Sequence, residues 1–239
     1  MAQQAQLAAG LMALGLAIGP QTTGNASSEP PVDLRTLVAA LDLTGGGVRR
    51  WLDRLGVVSG KAETERLLAL SVTGELLLER QGAAWSVRVD PELDGRLGRP
   101  GRQVVLVHNH PASAGLSAAD LTLLARPGLA AIVAIGHDGS VYVASAGPRF
   151  DREFFDERQH AVANGEVQKR LRYESPTVLS AAVGSAHLSH LVTLVLADAG
   201  VVHYWFELRG AGRLSYERAR FPFTSVVVAA SKPLKAHLK

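Results

Sequence analysis

The stretch Val104-Val105-Leu106-Val107-His108-Asn109-His110-Pro111 constrains this chain more than any other. Four consecutive apolar residues, three of them β-branched, indicate a strand buried on both faces and therefore central in its sheet. Pro111 has no N–H to give to a ladder and ends the strand. Side chains two apart on a strand share a face, so His108 and His110 project together from the strand's end, where both can reach one metal ion. The chain then loops through Ala112 to Leu116 and enters a helix at Ser117. That turn returns Asp120, in the helix's first turn, toward the two imidazoles. Two imidazoles and one carboxylate leave the fourth tetrahedral position open, which is the arrangement of a catalytic rather than a structural zinc. Taken singly the parts say less: a His-x-His pair is compatible with plain exposed polar residues, and Ser117 with Asp120 is also an ordinary helix start, a Ser N-cap with an acid in the first turn. Their order and spacing together carry the argument.

Composition narrows the donor set. The 239 residues include no cysteine, so there is neither a disulfide framework nor a thiolate site, and zinc must be held by the eight histidines and the carboxylates. A hydrophobic fraction of 47% allows a real core. The formal charge of +3 is too weak a bias to argue nucleic-acid binding. At the N-terminus an apolar stretch from Leu7 to Ile18 precedes a Gly/Ser/Thr/Pro-rich segment. No Lys or Arg stands before it, and Gly10, Gly15 and Gly19 interrupt it, so it is taken as a loose arm rather than a secretory leader. No run reaches the roughly 18 to 20 apolar residues of a transmembrane helix. The expected location is cytoplasmic, with no membrane partner.

Four regions follow from the pattern: an arm at 1–31, a short helical lead-in at 32–60, an α+β domain at 61–147, and a mostly helical C-terminal region at 148–239 to which the sequence assigns no role. In the lead-in, Asp33 is a plausible N-cap for a helix ending near Thr44, and a second helix runs from Val48 to Leu55 after Gly45 to Gly47. Arg66–Val72 and Glu75–Arg80 form a hairpin around Thr73-Gly74, followed by strands at Ala84–Val89, Val104–His108, Leu129–Ile135 and Val141–Ala144. Helices are expected at Asp90–Leu97 and Ser117–Ala125, and beyond Gly147 at Asp151–Arg172 and Pro176–Ala199. Val201–Leu208 is open between strand and helix turn. Thr224–Ala230 is expected to be a strand leading into a basic tail with Lys232, Lys235 and Lys239.

His-x-His-Pro, five residues, then Ser-x-x-Asp resembles the motif of the JAB/JAMM (MPN+) metallohydrolases. His108-Asn109-His110-Pro111 is the form of their bacterial members and of the more distant RadC-like proteins, although the spacer is one residue shorter than in the latter. The helix and strands around Asp120 to Gly128 and Asp138 to Tyr142 are similar to a bacterial and phage-associated subgroup. The resemblance covers roughly Glu63 to Ala146, about a third of the chain. It implies a mixed sheet with flanking helices, JAB/MPN-like and related to the cytidine deaminases, and a zinc metallopeptidase or isopeptidase. The metal ligands would be His108, His110 and Asp120. An upstream glutamate would serve as general base, and Ser117 would stabilise the oxyanion of the tetrahedral intermediate. The resemblance favours Glu65, nine residues before Gly74, with Glu63 as runner-up on the same strand face. Glu75 and Glu79 fit the exposed face of the hairpin's second strand. The implied substrate is a protein or peptide, ubiquitin-like conjugates included.

Two other readings stay open at this point: an inert MPN-like scaffold for assembly, and a RadC-like nucleic-acid-associated protein. A second histidine cluster, His187 and His190 with Asp198 and His203 downstream, has spacing that permits a shared metal, but partly exposed histidines on an amphipathic helix explain it as well. Oligomeric state is not legible.

Overall fold

A computed structural model describes residues 32–57, 64–82, 89–173 and 186–238. The N-terminal arm, Glu63, most of the strand expected at Ala84–Val89 and the start of the helix expected from Pro176 lie outside the described residues. The architecture is α+β. Six strands form one mixed sheet: β1 (Arg66–Ser71), β2 (Leu76–Gln81), β3 (Val104–His110), β4 (Leu129–Gly136), β5 (Val141–Ala146) and β6 (Val202–Glu207), in the order β2-β1-β3-β4-β5-β6. Only β3 and β4 run parallel; the other neighbours are antiparallel.

The apolar run at Val104 does make the central strand, buried from Val104 through Asn109. Alternation along the strands then sorts the core. One face carries Leu67, Ala69, Val104, Leu106, Ile132 and Ala134 and is covered by α3 (Pro91–Leu97), α5 (Ala161–Tyr173), α6 (Leu188–Asp198) and α8 (Arg220–His237). The opposite face carries Leu68, Leu70, Val105, Val107, Val133 and Ile135, covered by α1 (Leu34–Ala40) and α2 (Gly47–Arg54). A sheet covered on both sides needs apolar residues at successive positions, which is why β3 to β5 show no polar alternation. Asp33 caps α1 as expected, accepting from Arg35 N–H, but the helix stops at Ala40 rather than near Thr44. The β1–β2 turn is set by Gly74, whose φ of +88° favours glycine.

The chain beyond Gly147 joins the same sheet. Val202–Glu207 is a strand, paired antiparallel with β5. The strand expected at Thr224–Ala230 is instead part of α8, and Lys232 and Lys235 stand on that helix rather than in a tail. The β-branched run Val226-Val227-Val228 favours a strand by local propensity. Phe223, Val226, Ala230 and Leu234, however, recur at helical spacing and are all buried, so packing one helical stripe decides the outcome. Lys235 pairs with Asp198 at 2.6 Å. No helix among the described residues is long and apolar enough to cross a membrane.

Candidate metal centre

At the carboxyl end of β3, His108 Nε2 and His110 Nε2 face each other at 2.9 Å. Helix α4 (Ala118–Thr122) follows the 111–117 loop and brings Asp120 back to them: His108 Nε2 lies 3.2 Å from Asp120 Oδ1, and His110 Nε2 lies 3.3 Å from Oδ2. A tetrahedral ion with ligand bonds of about 2.0–2.1 Å holds neighbouring donor atoms about 3.3 Å apart. The two imidazoles are thus close enough to share one ion, with His108 facing one Asp120 oxygen and His110 the other, so either oxygen can complete the donor set. Among the described residues these three are the one group of three or more such side chains close enough to share an ion.

The surrounding atoms orient two of the three ligands. His110 Nδ1 donates to the Ala114 carbonyl at 3.0 Å, which leaves its Nε2 lone pair for the ion. Asp120 Oδ2 accepts from both Ser117 N–H and Ser117 Oγ–H, each at 2.7 Å, while Ser117 Oγ accepts from Asp120 N–H at 3.1 Å. This is a capping box, so the device that starts the helix also fixes the ligand. Ser117 is thus placed beside the site as expected, but its hydroxyl proton is already given to Asp120. His108 Nδ1 is buried with no hydrogen-bond partner among the described residues, so nothing there fixes its tautomer. Replacing Ser117 by Ala is expected to lower stability by about 0.5–2 kcal/mol through the lost cap. If the triad holds a metal ion, the same change should weaken its binding roughly 10–100-fold as an outer-shell partner goes, read by urea unfolding and competitive metal titration.

Charge in the site is strongly coupled. Burial works against ionisation of His110, but the Asp120 carboxylate outweighs it and pushes the imidazole up to about 9. Burial likewise opposes the Asp120 charge, and His108 and His110 overcome it to hold that carboxyl well below its ordinary value. An anionic Asp120 carboxylate against the His110 imidazole is an arrangement in which a bound cation could take the place of a proton.

Glu65 immediately precedes β1. Leu67 pairs with His108, so Glu65, two residues back on the same face, continues that register toward His110. Its carboxyl is raised above the ordinary value chiefly by burial, opposed by the charges of His108 and His110 and reinforced by that of Asp120. The carboxylate thus stands within electrostatic reach of His108, His110 and Asp120 and is not part of their cluster.

Comparison with protein-family models, with curated proteins and with solved structures finds no match to this chain.

The remaining candidates do not converge on the site. Glu75 and Glu79 are exposed on the hairpin, and Glu79 pairs with Arg66 at 3.5 Å. His187 and His190 are buried rather than partly exposed, in a nest of Tyr204, Phe206, Tyr216 and Phe223. His187 Nε2 lies 2.7 Å from Ser215 Oγ, and His190 Nδ1 2.8 Å from Tyr204 Oη. Asp198 is taken by Lys235. His190 lies beneath the loop that carries Gly115: a Cβ at Gly115 would come within 2.9 Å of the His190 backbone nitrogen, so the loop reaches this depth only as glycine.

Burial pushes His190 down to about 3, with the neighbouring His187 acting in the same direction. As pH falls below about 6.5 the unfolded chain takes up this proton and the folded chain does not. Stability from this group is therefore complete above about 6.5 and falls by about 1.4 kcal/mol per pH unit toward about 3. Urea unfolding at pH 7 and 4.5 should show that loss, and the His190→Phe variant should show a shallower one.

Two residues near the centre join it through contacts far apart in sequence. Asn109, between the two ligands, bonds to the backbone that flanks Glu65, and His137, in the β4–β5 turn, bonds to Asn109. Contacts over sequence separations of 28 to 45 residues leave no periodicity to read.

Proposed function

We propose that this chain is a zinc-dependent hydrolase of the JAB/JAMM type, with a JAB/MPN-like fold around the site, that cleaves amide bonds in proteins or peptides, isopeptide bonds included. The observation that carries the reading is the preformed triad, two imidazoles and a carboxylate 2.9–3.3 Å apart with Glu65 beside them. His108, His110 and Asp120 would hold the ion. When bound, zinc supplies Lewis acidity toward a carbonyl and makes water a competent nucleophile near neutral pH. Glu65 is outside the ligand set, and its burial-raised carboxyl suits a general base that takes the nucleophile's proton and returns it to the leaving amine. Ser117 orients Asp120; donation to a substrate oxyanion requires its hydroxyl to leave Oδ2. Asp120 and His110 stay fixed meanwhile through Ser117 N–H and the Ala114 carbonyl.

The test is hydrolysis of fluorogenic peptide and isopeptide substrates by the purified chain. Activity should vanish with a chelator and return with stoichiometric Zn2+. Turnover that survives complete metal removal would overturn the proposal.

A further inference from the structure

We infer that Asn109 is the positioning residue that aims Glu65 at the metal centre, an inference that rests on Glu65 being the base proposed above. The β1–β3 ladder begins at Leu67 opposite His108, so Glu65 lies beyond its last pair. Among the described residues, the Asn109 side chain joins this end of β1 to β3. Asn109 Oδ1 accepts from Arg66 N–H at 2.7 Å, and Asn109 Nδ2 is directed at the Thr64 carbonyl at 3.4 Å and at His137 Nε2 at 3.3 Å. One amide therefore grips the backbone on both sides of Glu65. From the other side, Gly82 N–H donates to the Glu65 carbonyl at 2.9 Å.

The chemistry of the grip specifies asparagine. Arg66 offers a donor, while Thr64 and His137 offer acceptors, so the clamp needs one acceptor and two donors on one planar group. The opposite amide orientation would set Nδ2 against Arg66 N–H and Oδ1 against the Thr64 carbonyl. An aspartate keeps the Arg66 bond and opposes the Thr64 carbonyl. The hydrogen bond to His137 requires an unprotonated Nε2 there. Asn109 is fully buried, and an amide at that depth is retained at a desolvation cost unless its bonds are made. Three successive residues of β3 thus serve one centre: His108 and His110 supply ligands from one face, and Asn109, between them, holds the base from the other.

The experiment uses the full chain loaded with Co2+, whose visible absorption reports the surroundings of the bound ion. Wild type, Glu65→Gln, Asn109→Ala, Asn109→Asp and the double variant Glu65→Gln/Asn109→Ala are compared, with amide hydrogen exchange on each. Asn109→Ala should take up Co2+ at the wild-type stoichiometry and shift the spectrum in the direction that Glu65→Gln shifts it, and it should add nothing in the Glu65→Gln background. Exchange over residues 64–66 should rise at least tenfold, while Val104 to Val107 keep their wild-type rates. Asn109→Asp, with one of the bonds retained, should fall between, and it carries the test if the alanine variant does not fold. A Glu65-dependent spectrum that neither Asn109 variant alters, or an Asn109→Ala shift of undiminished size in the Glu65→Gln background, overturns the inference and leaves the proposed hydrolase intact. Failure of wild type to take up Co2+ overturns both, and is told apart by that failure.

Discussion

Replacing Glu65 by Gln is expected to leave one zinc per chain in place and to slow amide hydrolysis by about 10²–10⁴-fold, the usual contribution of a general base. Gln occupies nearly the same volume and cannot accept a proton. The ligands are held by contacts that do not involve Glu65: His110 by the Ala114 carbonyl and Asp120 by Ser117. Metal content and chemistry should therefore separate in this variant. Total zinc and steady-state kinetics on the same sample check it. A full rate with Gln at position 65 would move the base elsewhere, with Glu63 the first to test.

Asp120→Ala should instead remove metal and catalysis together. The carboxylate is the proposed third ligand, the counter-charge beside two imidazole nitrogens that face each other at 2.9 Å, and one half of the capping box of α4. Its loss should weaken zinc binding by more than the 10–100-fold expected of an outer-shell change such as Ser117→Ala. Asp120→Asn separates these roles, because an amide oxygen can still accept from Ser117 while the negative charge is gone. That variant should keep most of the stability lost in Asp120→Ala and still bind zinc poorly, as competitive zinc titration and urea unfolding will show.

Much of this site was legible because its parts are local. The apolar run Val104 to Val107 indicated a doubly covered strand, period two put His108 and His110 on one face, and Ser117 with Asp120 announced a helix start 7 to 10 residues beyond His110. What was hidden depends on tertiary partners. The Val226 to Val228 run has strand propensity and becomes helix because Phe223, Val226, Ala230 and Leu234 meet the rest of the core. Val201–Leu208 remained ambiguous because a short, largely aromatic and aliphatic stretch fits either state until β5 offers it an edge. The Ser117 hydroxyl, assigned to an oxyanion by resemblance, is found donating to Asp120, a partner that the resemblance does not supply. The Asn109 clamp joins residues 43 apart and has no sequence period at all.

The most direct measurement is the metal content of the purified, zinc-reconstituted chain beside the His108→Ala/His110→Ala double variant. One zinc per wild-type chain and none in the double variant is the expected result. A wild-type chain that retains no zinc, or a double variant that retains it, would contradict the centre described here, the former favouring an inert scaffold.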